Sequence, residues 1–115
     1  GGKKWGSPIP SNIINEGNSI ALFGIGKEIF LVHNTREKNP SESRGTLVLS
    51  QLIGNAWKQL AILDVAQGTR ERGKSVEVSY PTALSNGEWI DIIYTYNRSS
   101  ISHIRFNTRW LKEKQ

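Results

Sequence analysis

The chain has 115 residues, no cysteine and a formal net charge of +5 at neutral pH, with 37% hydrophobic and 22% charged residues. That length suits one domain, or part of one, with a buried core, and the missing cysteine excludes disulfides and thiolate metal sites. The longest apolar runs, such as Ile29-Phe30-Leu31-Val32, fall far short of the roughly 20 residues that a membrane-spanning helix needs, so no membrane span is expected. No basic-then-apolar signal segment is visible, and a trimmed chain would show none either, so the compartment is left open.

Strand patterns alternate with turn chemistry, and no long stretch keeps helical apolar spacing, which predicts an all-β fold. Residues 1–10 read as a turn ending at Trp5 followed by an outer strand. Residues 18–24 suit an inner strand, and Gly24-Ile25-Gly26-Lys27 a tight turn in which glycine takes positive φ. Glu28 to His33 form a β-branched and aromatic strand buried on both faces. Asn34 to Arg44 make a polar loop, long for a hairpin and therefore of functional interest. Gly45 to Leu49 and Lys58 to Asp64 are the third and fourth strands, joined through Ser50 to Trp57. Gln67 to Ser75 is a second polar, basic loop. The pattern restarts at 76–84, 89–96 and 101–106, with Asn86-Gly87 a strong hairpin signal between the first two. Residues 107–115 form a tail in which Trp110 and Leu111 dock as an anchor.

The basic residues are scattered, with one local concentration at Arg70-Glu71-Arg72-Gly73-Lys74. No helix-turn-helix, zinc-finger or RNP pattern accompanies them, so a solvated basic face or an anionic small ligand is expected in place of nucleic acid. His33 and His103 are too few and too far apart to suggest a metal site. Gly24-Ile25-Gly26 lacks a third glycine and a following helix, so no dinucleotide, and no other cofactor, is expected.

Trp5 and Trp57 each close a short glycine-led turn, and they stand 52 residues apart, about one four-stranded repeat of a propeller. Ser50-Gln51-Leu52-Ile53-Gly54-Asn55-Ala56-Trp57 fits the tail of Ser-x-Asp-x-Gly-x-Thr-Trp. Leu31-Val32-His33-Asn34, Arg44 through Ser50, Ser79-Tyr80-Pro81, Asn86-Gly87 and Tyr94-Thr95-Tyr96 through His103-Ile104 follow in matching order. Together these resemble the C-terminal part of the sialidase-like BNR (Asp-box) repeat family, whose members are six-bladed β-propellers. The resemblance implies about two blades of antiparallel strands: a box remnant and outer strand at 1–10, a complete blade at 11–64, three strands of the next at 76–106, and the tail at 107–115. Leu52 and Ala56 stand where the box has aspartate and threonine. Box residues support a turn, so this departure bears on stability alone.

The resemblance also implies a reaction, glycoside processing through a tyrosine nucleophile, with a carboxylate to take its proton and arginines to hold an acidic sugar. The matching nucleophile position here is Val78, which has no nucleophilic group. Glu77 and Tyr80 are therefore the candidate catalytic residues. Asn34, Arg36, Arg44, Arg70, Arg72 and Arg98 are the candidates for substrate binding, because an arginine fork grips a carboxylate bidentately. Solvated loop arginines, a turn-capping Asn34 and a Tyr80 that is simply a packed aromatic ahead of Pro81 are the plain structural alternatives. The box turns fall on the opposite rim, so Trp5 and Trp57 are not expected to meet ligand.

Two blades leave unpaired sheet edges. Self-association could close the ring, as a trimer of two-blade chains or through dimer contacts, or the chain could be a piece cut from a longer propeller, which its start within a box favours. The expected partner is a carbohydrate with an acidic group. The expected function is that of a sialidase-like glycoside-processing propeller, inactive as this chain alone, or else of a non-catalytic carbohydrate-binding module.

Overall fold

The computed structural model describes residues 4–68, 70–71 and 74–115. Their strands form two antiparallel meanders, and the fold is all-β with blade-like sheets. The first sheet runs β1 (Ala21–Ile25), β2 (Glu28–Thr35), β3 (Thr46–Ile53) and β4 (Ala56–Val65), each beside its chain neighbour. The second holds β5 (Val78–Ser85), β6 (Trp89–Tyr96) and β7 (Ser100–Asn107).

Turn residues set these registers. Asn86 caps the β5–β6 hairpin, its side-chain oxygen accepting from the backbone of Glu88 and Trp89, while Gly87 takes φ +94°. At the β6–β7 turn Asn97 and Arg98 are both left-handed, with φ 50° and 54°. Asparagine tolerates that region better than most residues, and two successive left-handed residues match the twist of the flanking strands.

The core lies between the sheets. Phe30, Val32, Leu47 and Leu49 of the first sheet close on Val78, Ile90, Ile92 and Tyr94 of the second. Phe23 stacks on Phe30 at 5.1 Å between ring centroids and meets Phe106 at 6.4 Å. Tyr94 carries one polar group into this core, where its hydroxyl donates to Asp64 at 2.6 Å. Burial and the adjacent carboxylate push that phenol above its ordinary range.

Two features differ from expectation. No strand forms between residues 4 and 20, and Trp5 is 87% exposed. A strand needs a neighbouring edge to satisfy its backbone, and none of the described strands takes this segment as a neighbour. The rest of the expected turn, residues 1–3, lies outside the described residues. The tail is a helix, α1 (Thr108–Lys114), whose N-cap Asn107 accepts from Trp110 N at 2.9 Å. Its Trp110 ring packs on Phe106 at 4.8 Å, and Leu111 is 2% exposed. Beyond β7, then, the chain seals the core with a short helix.

Leu111→Ala empties a sealed position and is expected to lower stability by about 2–4 kcal/mol. Lys112→Ala on the exposed side should stay within about 0.5 kcal/mol, with urea unfolding reading both.

Candidate functional site

One end of the paired sheets gathers the 36–45 loop, residues 70, 71 and 74–77, and the β6–β7 turn. Backbone bonds fasten them to each other. Val78 N donates to Arg44 O at 2.8 Å, Ala66 N to Gly45 O at 2.8 Å, and Asn97 N to Glu77 O at 2.7 Å. Gly45 is required at its place, since a Cβ there would lie 2.9 Å from Asn39 Cβ.

These loops enclose a pocket of about 270 Å³ lined by Glu42, Ser43, Arg44, Arg70, Ser75, Glu77 and Arg98. Four of the expected site residues, Glu77, Arg44, Arg70 and Arg98, therefore converge. Glu77 sits at the base, 3% exposed. It accepts from Ser79 Oγ and Arg98 Nε, and Arg44 Nη1 stands 3.7 Å away. Burial works to raise the Glu77 carboxyl, but the Ser79 and Arg98 hydrogen bonds outweigh it and hold the group below its ordinary value, hence ionised. Glu42 pairs with Arg70 at 2.6 Å, and that hydrogen bond pulls its carboxyl down as well.

Arg44 is held differently. Its Nε donates to Asn18 Oδ1 at 2.7 Å, and its guanidinium lies 5.3 Å from the Tyr80 ring centroid, with Nη1 3.4 Å from the Tyr80 hydroxyl. This is a cation–π contact at a half-exposed aromatic. Tyr80 occupies φ 53°, at the irregularity of the β5–β6 pairing between Ser79 and Thr82. That conformation is costly for an aromatic residue, and the following Pro81 restricts it further. Strain of about 1–3 kcal/mol is typical of such outliers, which cluster at functional sites.

The remaining candidates sit elsewhere. Arg36 forks Glu16, with Nη2 to Oε1 at 2.9 Å, and donates to Pro40 O. Asn34 is buried between the sheets and donates to Thr46 O at 3.0 Å and Val78 O at 2.7 Å, so its amide nitrogen serves the fold. Its Oδ1 has no hydrogen-bond partner among the described residues. Arg72 lies outside the described residues. Val78, at the position the resemblance gives to a nucleophile, is fully buried in the core.

A separate groove of about 420 Å³ runs under residues 12–18, along the outer face of the first sheet. Asn12 clamps it at one end, donating to Trp57 O and accepting from Trp57 N, and the Glu16–Arg36 pair closes the other. His33 and Ser50 share a 2.8 Å hydrogen bond on its floor, and burial holds the imidazole below its ordinary range. Trp57, expected on the rim opposite the ligand face, lines this groove.

Sequence reasoning missed Asn18, Glu42 and Ser79. Ser79 carried a signal, since residues two apart on a strand share a face and Glu77 precedes it by two. Asn18 and Glu42 act over separations of 26 and 28 residues, which no local pattern encodes.

Two outcomes are expected. The folded Glu77 carboxyl lies below its ordinary value of 4.5, so its contribution to stability is full above that pH and is lost as pH falls through the lower folded value. Glu77→Gln should therefore lower stability at pH 7 by about 1.5–3 kcal/mol and flatten the acid limb of a stability–pH curve. Tyr80→Gly should relieve backbone strain and match or exceed the parent stability, by up to about 1 kcal/mol, while releasing Arg44; paired denaturation curves decide it.

Comparison with protein families matches residues 1–92 to the BNR repeat-like domain. No curated protein and no solved structure matches the chain. The two meanders of antiparallel strands agree with that match, which spans well over half of the sequence. The chain belongs to the BNR repeat-like domain family.

Proposed function

We propose that this chain is the carbohydrate-gripping part of a sialidase-like, glycoside-processing propeller, and that by itself it binds an acidic sugar without cleaving it. The supporting observation is the convergence of Arg44, Arg70 and Arg98 on one pocket. Its two carboxylates cancel two of the three cations, leaving one positive charge among the described lining residues, and this suits a ligand carrying a single carboxylate. Sugar hydroxyls would find acceptors in Glu42 and Glu77, both held ionised. Exposed Leu84, Ile93 and Ile101 on the second sheet support a place in a larger propeller, completed by further blades or by further copies of the chain.

Cleavage by this chain alone is not favoured. An ionised Glu77 already bonded to Ser79 and Arg98 is a poor proton donor, and Val78 has no nucleophilic atom. A second reading keeps hydrolysis open because Tyr80 reaches Glu77's cluster through Arg44. In that reading Tyr80 is the nucleophile and Glu77 the base.

Titration calorimetry with N-acetylneuraminate is expected to show saturable binding, weakened at least about tenfold by Arg44→Ala, the loss of roughly one charge-assisted hydrogen bond. Galactose should bind far less, and a fluorogenic sialoside should not turn over. Turnover that drops with Tyr80→Phe or Glu77→Ala would replace the binding reading with the hydrolytic one. No affinity for any acidic sugar would sink both.

A further inference from the structure

Arg44 differs from its neighbours in what holds it. Arg70 and Arg98 each lie against a carboxylate, Glu42 and Glu77, at hydrogen-bond distance. The close partner of Arg44 is the neutral amide of Asn18, at 2.7 Å, and Glu77 is farther off at 3.7 Å. Asn18 is itself fixed. It is 9% exposed, its Nδ2 donates to Ser43 O at 3.1 Å, and its backbone N donates to Asn15 Oδ1 at 2.8 Å, with Asn15 Nδ2 returning to Asn18 O. The amide thus spans the segment before β1 and the residue preceding Arg44. On the far side the Tyr80 ring limits the guanidinium's swing.

An anchor of this kind has a particular electrostatic result. Glu77 already offsets part of the Arg44 charge from 3.7 Å, and a carboxylate in Asn18's place would add a second anion beside it, since opposite charges a few ångströms apart at a half-buried site interact strongly. An amide supplies the same acceptor geometry with no net charge. We propose that Asn18 is the positioning and charge-setting residue of the arginine pocket: it orients Arg44 while leaving the pocket's one net positive charge for a carboxylate ligand. The inference rests on the anion-binding reading above and extends it to a residue that would not touch the ligand.

The discriminating feature is an inversion of rank. Asn18→Asp gives up the Nδ2 donation to Ser43 O but keeps an acceptor for Arg44 and adds an ion pair, whereas Asn18→Ala loses both side-chain bonds, so the thermal stability of Asn18→Asp should equal or exceed that of Asn18→Ala. Binding should run the other way. Asn18→Ala weakens carboxylate binding several-fold through lost orientation, whereas Asn18→Asp weakens it by more than about tenfold through lost charge. A merely structural role predicts that binding follows stability, with Asn18→Asp the milder change. The experiment titrates the full chain and both variants with acetate, read by NMR shifts of the arginine side-chain N–H groups, and with N-acetylneuraminate by calorimetry. Inverted ranks with either probe support the inference, and binding ranks that follow stability overturn it. Acetate binding without N-acetylneuraminate binding removes the sugar reading and leaves the role of Asn18 to be decided by the acetate ranks. No binding of either probe overturns both.

Discussion

The hydrogen bond from Val78 N to Arg44 O is the hinge-pin of this architecture. It joins Arg44, two residues before β3, to the first residue of β5, and so ties one meander to the next through backbone atoms. Asn34 reinforces it from inside, with one amide nitrogen reaching Thr46 O in its own sheet and Val78 O in the other. Once Val78 is fixed on both its N–H and its carbonyl, Glu77 and Ser79 on either side are fixed too. The same bond sets the backbone of Arg44. The backbone carrying the carboxylate at the base of the pocket and that carrying the guanidinium at its wall are therefore placed by one inter-sheet contact, with apolar packing of Phe30, Val32, Ile90 and Ile92 behind it.

Around that pin the charges are arranged in unequal pairs. Glu42 and Glu77 are almost completely buried while Arg70 and Arg98 reach toward solvent. Buried carboxylates are tolerable only when hydrogen-bonded and paired, and each of these is. The exposed cations have a lesser role in stability than their short distances suggest, because water screens them. Arg44 is the more sheltered cation, and its close contacts are an amide and an aromatic ring. Tyr80, which supplies the ring, sits in a backbone conformation that the strand would not choose on its own. The β5 irregularity that permits it is where sheet regularity gives way to the pocket.

Much of this fold was legible because its signals are local. Asn86-Gly87, the glycine-led turns and the alternating segments placed every described strand to within a few residues, and Trp110 and Leu111 emerged as anchors. Their helix did not, because seven residues with one N-cap asparagine carry too little periodicity to stand out from a tail. The segment before Asn12 carries strand-compatible residues, but pairing depends on a neighbour that sequence cannot supply. The site divided the same way. Of the arginines read from polar loops at one end of a sheet, Arg44, Arg70 and Arg98 line one pocket, yet Arg36 is drawn off by Glu16, twenty residues earlier in the chain. Asn34 had the look of a ligand residue because a polar side chain closing a strand can point either outward or into a seam between sheets, and sequence does not say which.

The strand pairings join chain neighbours by short turns or a single loop, while the bonds between the pocket's loops and across the seam span 20 to 44 residues. Local closures of this kind are fast and entropically cheap, and long ones come later or open first. Each meander can thus keep its ladder while the seam between them parts, a sub-global opening in the sense seen by native-state hydrogen exchange. In such a state the amides of β2 and β3 remain protected and the backbone spectrum is nearly unchanged, but Arg44 and Glu77 no longer share a wall. The arginine pocket is a property of docking, and its lifetime is that of the seam.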